Sequence, residues 1–297
     1  MADAGSPSAR RKRAEAYLAL AFLALFWGYS WVAVKIATRD ASPFAVAALR
    51  AGLGAVALFA FLAATRRPLR PTPFVPTLVY GLLQTAGFTL AQTAAVSVSG
   101  AGKVAVLAYT MPFWLALLAW PLLGERLAGP RWVALALAGA GLGLVVTPLD
   151  RASMTGNVLG VSAGLVWAVS AVWVVRLRKA GAYDILSLTA WQMVWGAAAL
   201  AAVALAAPWH VRWTAPFVAS IAFLAVVATA LGWALWLFVL ARLPASVAGV
   251  ASLATPVVGV LAAAVQLHET PTPRELMGIA CIVVALVVNA RGGPRVR

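Results

Sequence analysis

Charge and sulfur are what this sequence has least of. Asp and Glu together number eight and His two, and charged residues amount to 10% of the 297 positions. The single cysteine, Cys281, has no second thiol to bridge and no clustered His or Cys to share a metal. A disulfide framework and a zinc site are thereby excluded, and Cys281 reads as core packing. His210 and His268 stand in polar connections without a partner nearby in the sequence, which makes them solvated loop residues. No catalytic residue, metal or cofactor is expected.

What is abundant is apolar surface. Hydrophobic residues make up 63% of the chain and mean hydropathy is +0.93, far beyond the roughly half-apolar usage of soluble domains. A helix needs about 20 mostly apolar residues to cross the hydrocarbon of a bilayer. Ten such segments are legible, at 17–37, 43–64, 74–96, 101–122, 130–147, 157–176, 185–206, 215–240, 246–266 and 273–290. The connections between them are short and rich in turn formers and charge, as in RRPLRP, GERLAGPR and HETPTPRE. The basic stretch RRKR at 10–13 leads into an apolar run that continues to Ala37 without a small-residue cleavage pattern, so it opens a membrane helix and not a signal peptide. No Asp or Glu falls at the centre of any segment, which leaves proton coupling without a carrier.

The net charge of +15 follows the connections. With the N-terminus inside, sixteen Lys and Arg fall on the cytoplasmic side, four on the opposite side and three within segments. This asymmetry predicts a multi-pass protein of the cell (inner) membrane with both termini cytoplasmic. Membrane lipid is the expected partner of the basic residues, through anionic headgroups, and nucleic acid is not.

Comparing the halves brings out a repeat. Pro112 and Glu125 are spaced as are Pro256 and Glu269, Trp27 and Ser30 as are Trp167 and Ser170, and Arg50 and Gly54 as are Gln192 and Gly196, at offsets of 144, 140 and 142. Because each half has five helices, an odd number, the second copy enters from the other side, which makes the repeat inverted. The expected fold is all-α, a polytopic membrane protein of ten transmembrane helices in two inverted five-helix repeats around a central cavity. The expected divisions are a basic N-terminus over 1–16, repeats over 17–147 and 157–290, and a basic tail over 291–297.

The stretches FWGYSWVAVK (26–35), the segment around Arg50, YTMPFWLALLAWPLLGERL (109–127) and ATPVVGVLAAAVQLHET (254–270) resemble the ten-helix EamA-type members of the drug/metabolite transporter (DMT) superfamily. The likeness spans nearly the whole chain and is greatest to the YddG-type exporters of aromatic amino acids. It implies a basket of ten helices around a cavity, with the segments near 130–147 and 273–290 at the periphery.

Polar side chains at mid-depth face other helices or a water-filled cavity. Tyr80, Gln84, Phe88 and Gln92 recur every four residues and put two amides and two rings on one stripe of the third segment. Either they line a cavity or the glutamines bond neighbouring helices as packing contacts. Trp27, Ser30 and Trp31 form one face of the first segment, and Trp167 with Ser170 repeats it on the sixth. Trp233 and Tyr109 complete the candidate cavity set, whereas Trp132, Trp209 and Trp213 near loop ends read as interfacial belt residues.

Arg50, Lys35 and Lys103 lie in the outer third of their segments and would form a basic collar that draws a carboxylate. Long stems also let Lys35 and Lys103 reach the interface. Pro112 and Pro256 interrupt mid-helix hydrogen bonding and are candidates for a hinge or a static kink. Glu125 and Glu269 read as turn and capping residues.

These features point to export of a small-molecule solute, on the resemblance an aromatic or other neutral amino acid, or a related small metabolite. Alternating access or facilitated diffusion would carry it, with a monomer favoured and the oligomeric state left open. A multidrug exporter is the alternative, weakened by the lack of a deep acid for a cation. An intramembrane enzyme, which needs a nucleophile with its base at one depth, is a distant one.

Overall fold

A computed structural model describes residues 7–67, 69–123, 129–146, 151–181, 184–207, 209–240, 242 and 254–291. Helix starts follow from local chemistry. The Ser42 hydroxyl accepts from the Ala45 amide at 3.2 Å with Pro43 in the first turn, the Asp184 carboxylate accepts from Ser187 at 2.7 Å, and the Thr214 hydroxyl accepts from Phe217 at 3.3 Å. Each satisfies an amide that the helix itself leaves unpaired.

The described residues build ten helical rods. They are α1 (Pro7–Ala37), α2 (Pro43–Ala64), α3 (Phe74–Val98), α4 in two pieces (Ala101–Ala108 and Met111–Leu123), α5 (Gly129–Val146), α6 (Arg151–Ala180), α7 (Ile185–Ala206), α8 (215–240), α9 (Ala254–Leu267) and α10 (Pro273–Arg291). Among the described residues seven, α1 to α4 and α6 to α8, contain stretches long and apolar enough to cross a membrane. α5 and α9 carry shorter apolar stretches, and α10 holds Arg274, Glu275 and Arg291. The start expected for the ninth segment and the turn holding Glu125 lie outside the described residues, as do 1–6 and the tail after 291.

Packing follows one pattern in both halves. α1 lies against α8 and α9 as α6 lies against α3 and α4; α2 packs on α7 and α8 as α7 packs on α2 and α3; α5 and α10 pair chiefly with each other. In that last pair the backbones nearly touch, since a Cβ on Gly141 or Gly278 would fall 2.7 Å from the carbonyl oxygen of the other.

The third helix of each half widens into π-helix, over Gly81–Gly87 in α3 and Phe223–Leu231 in α8. Such stretches loosen the i→i+4 ladder and recur at functional sites.

One end of the bundle is closed by polar contacts between the halves. Ala41 bridges Val211, the Ser42 amide donates to the His210 carbonyl, and Asp40 accepts from Arg212 at 2.6 Å and from Thr214. At this same end Glu269 accepts from the amides of Ala101 and Gly102 at 2.8 and 3.1 Å, capping α4. At the other end the Ser187 hydroxyl donates to the Arg70 carbonyl at 2.9 Å.

Candidate functional site

A cavity of about 140 Å³ lies between the halves, walled by α1, α2, α3, α4, α6, α7 and α8. Two aromatic groups face it. Trp27 meets Trp233 edge-on with centroids 6.1 Å apart, and its indole donates to the Ala228 carbonyl at 2.9 Å, inside the π-helical stretch of α8. Trp167 lies 5.2 Å from Phe88 and stands perpendicular to Tyr109 at 5.5 Å. Tilted and edge-to-face arrangements are those the ring quadrupoles favour.

The polar part of the wall is built from amides, hydroxyls and one cation. Arg50 donates to the Gln92 side-chain oxygen at 3.0 Å, and Thr85 donates to that of Gln192 at 2.8 Å. The Ser170 hydroxyl donates to Gln84 and to the Trp167 carbonyl. Among the described residues no Asp or Glu lines the cavity. Among the described residues no group of three His, Cys, Asp or Glu gathers anywhere.

Of the residues chosen from spacing, Trp27, Ser30, Trp31, Gln84, Phe88, Gln92, Tyr109, Trp167 and Trp233 line this one cavity. Tyr80 and Ser170 do not. Tyr80 is buried below the π-helical stretch, whose wider turns take it out of register with Gln84 and bring Thr85 and Thr89 onto the wall. Ser170 is fully buried behind the wall, where it orients Gln84.

The collar divides. Lys35 donates to the Val96 and Ser99 carbonyls, both at 2.8 Å, because the end of α3 leaves carbonyls without helical partners. Lys103 pairs with Glu275 at 3.0 Å. Arg50 alone reaches the cavity.

One of the two prolines sits elsewhere than mid-helix. α4 breaks at Tyr109 and Thr110, and Pro112 occupies the first turn of the following piece, where a missing N–H costs nothing. Pro256 is the third described residue of α9, and the start of the ninth segment, which decides its place along the helix, lies outside the described residues.

Spacing missed Ala51, Thr85, Thr89, Gln192, Met193, Ala228 and Thr229. A signal existed for Gln192, the repeat partner of Arg50. Thr and Ala in an apolar helix carry none.

The helical fold, with seven long apolar helices among the described residues, defines a polytopic membrane protein with a central cavity. The model of the EamA-like transporter family matches twice, over residues 14–147 and 154–291, and the chain belongs to that family. The uncharacterized transporter YoaV of Bacillus subtilis (strain 168) is 28% identical over 281 residues, covering 92% of this chain and 95% of its own. A probable amino-acid metabolite efflux pump of Salmonella typhimurium and one of Escherichia coli are each 28% identical over 292 residues, covering 94% of this chain and 96% of theirs. One solved crystal structure shares the fold at a TM-score of 0.67 with 19% identity, over 93% of this chain and 96% of that one.

Proposed function

We propose that the chain exports amino acids, aromatic and other neutral ones, or closely related small metabolites through the central cavity. In this reading all ten helices cross the cell membrane as two inverted copies with both termini cytoplasmic, and the copies rock about the cavity in alternating access. The observation that carries it is the wall itself, where six aromatic rings stand beside the amides of Gln84, Gln92 and Gln192 at the junction of the two family matches. Rings stack on a planar or apolar side chain while amides meet its polar end. The two relatives named as amino-acid metabolite efflux pumps support the solute class.

The test is uptake of labelled phenylalanine, tryptophan, threonine and a quaternary-ammonium dye into liposomes holding the purified protein, with and without a pH gradient. Saturable amino-acid uptake lost in Trp27→Ala and Gln84→Ala is expected, and indifference to the gradient would indicate facilitated diffusion. Uptake of the dye alone would instead favour the multidrug reading.

A further inference from the structure

Charge in the deep part of this molecule is unbalanced. Between Asp40 and Glu125 the sequence holds no Asp or Glu, so α2, α3 and α4 bring no carboxylate. Arg50 stands seven residues into α2, about 10 Å along the helix axis from its start. Its hydrogen bond is to a neutral amide, Gln92, and the three ion pairs among the described residues all lie elsewhere. A cation held in a low-dielectric bundle without a counter-ion is costly, and such a residue marks a ligand or ion path. A guanidinium has five donors arranged to grip a carboxylate in bidentate fashion. One bond to Gln92 leaves most of them free to face the cavity.

The repeat sharpens the point. The residue matching Arg50 in the second half is Gln192, whose side-chain oxygen already accepts from Thr85. The cavity thus has a positive pole on the α2 side and a neutral amide on the other. Among the described residues no acid stands on the wall to pair with an ammonium group.

We propose that Arg50 is the carboxylate-binding residue of this cavity and that the ammonium of an amino acid goes unread. The solute class then extends to monocarboxylic acids without a free amine, such as aromatic 2-hydroxy acids and N-acyl amino acids. The inference rests on the reading of the cavity as the solute site. The solute carboxylate supplies the missing counter-charge, and the rings of Trp27 and Trp167 take its side chain. An ammonium group, where present, meets ring faces and amide oxygens, which tolerate it without requiring it. Esters and amines bring no counter-charge and leave Arg50 unpaired.

Titration calorimetry on the full-length protein in detergent tests this with phenylalanine, phenyllactate, N-acetylphenylalanine, phenylalanine methyl ester and phenethylamine. The three carboxylates are expected to bind within about tenfold of one another, and the ester and amine at least about tenfold more weakly, as loss of a charge-assisted bond predicts. In Arg50→Gln the ratio of acid to ester affinity should fall towards one, and Arg50→Lys should keep part of it. The ligand ratios on the unaltered chain decide the matter even where a variant misfolds. Binding of phenylalanine without phenyllactate overturns this inference and leaves the proposed function standing. Preference for the ester or the amine overturns it as well, and failure of all five ligands to bind overturns the proposed function along with it.

Discussion

The indole N–H of Trp27 in α1 donates to the carbonyl of Ala228 at 2.9 Å, inside the π-helical stretch of α8. A π-helical turn carries its bonds in i→i+5 register and leaves carbonyls open to side chains. Trp27 therefore does two things at once: it presents a ring to the cavity and ties the first half to the widened helix of the second.

Trp27→Phe separates these roles. Phenylalanine keeps a ring but cannot donate, so the Ala228 carbonyl loses its side-chain partner at a cost of about 1 kcal/mol. A lower apparent melting temperature is expected together with partial retention of uptake, whereas Trp27→Ala should lose uptake. An unchanged melting temperature in Trp27→Phe would show that the bond does not bear on stability.

Ser170 and Gln84 form a second linked pair. Ser170 is buried and donates to the Gln84 side-chain oxygen, which sets the amide that faces the cavity. Ser170→Ala and Gln84→Ala should each reduce solute affinity, and the double variant should be no worse than the weaker single one. Coupling of roughly 0.5–3 kcal/mol is typical of residues in one hydrogen-bonded unit. Strict additivity would mean that Ser170 does not act through Gln84.

Much of the fold was legible because lipid-facing and core-facing surfaces are both apolar, so runs of Ala, Leu and Val mark rods directly. The connections were legible through turn formers and charge, as in RRPLRP and HETPTPRE, whereas the caps that Ser42, Asp184 and Thr214 give to α2, α7 and α8 emerge only in space. Aromatic and amide side chains at mid-depth, such as Trp27, Gln84 and Trp167, also marked themselves, being unusual there. Illegible were features set by backbone register. The two π-helical stretches leave no residue signature, and the one in α3 turns Tyr80 away while bringing in Thr85. Lys35 and Lys103 shared a collar with Arg50 in sequence, with the interface as their alternative, and in space helix-end carbonyls and Glu275 claim them.

Close backbone contact distinguishes two interfaces that glycine substitution can probe. A Cβ on Gly196 would lie 2.6 Å from the Gly81 carbonyl oxygen and collide with Thr85, whereas one on Gly278 would collide with Val145 and Gly141, away from the cavity. Both Gly196→Ala and Gly278→Ala should destabilise by about 1–3 kcal/mol, as overpacking does. Solute affinity should fall in Gly196→Ala, because Thr85 and Gln192 are displaced, and hold in Gly278→Ala. Calorimetry beside thermal unfolding checks the contrast.

The end closed by Asp40, Ala41, Val211 and Arg212 offers the sharpest test of motion. The ion pair there is weak support, since the Arg212 side chain is 71% exposed and water screens it. If the halves rock, the two turns must part on every cycle, and a covalent link between them must stop transport without closing the cavity to solute. Ala41 and Val211 form an antiparallel bridge, a geometry in which paired Cα atoms lie about 4.5–5.5 Å apart, within reach of a disulfide. In a Cys281→Ser background, Ala41→Cys with Val211→Cys should lose uptake on oxidation, recover it on reduction and bind solute in both states. Full uptake by the cross-linked protein would show that these turns stay together throughout the cycle and that the moving gate lies elsewhere.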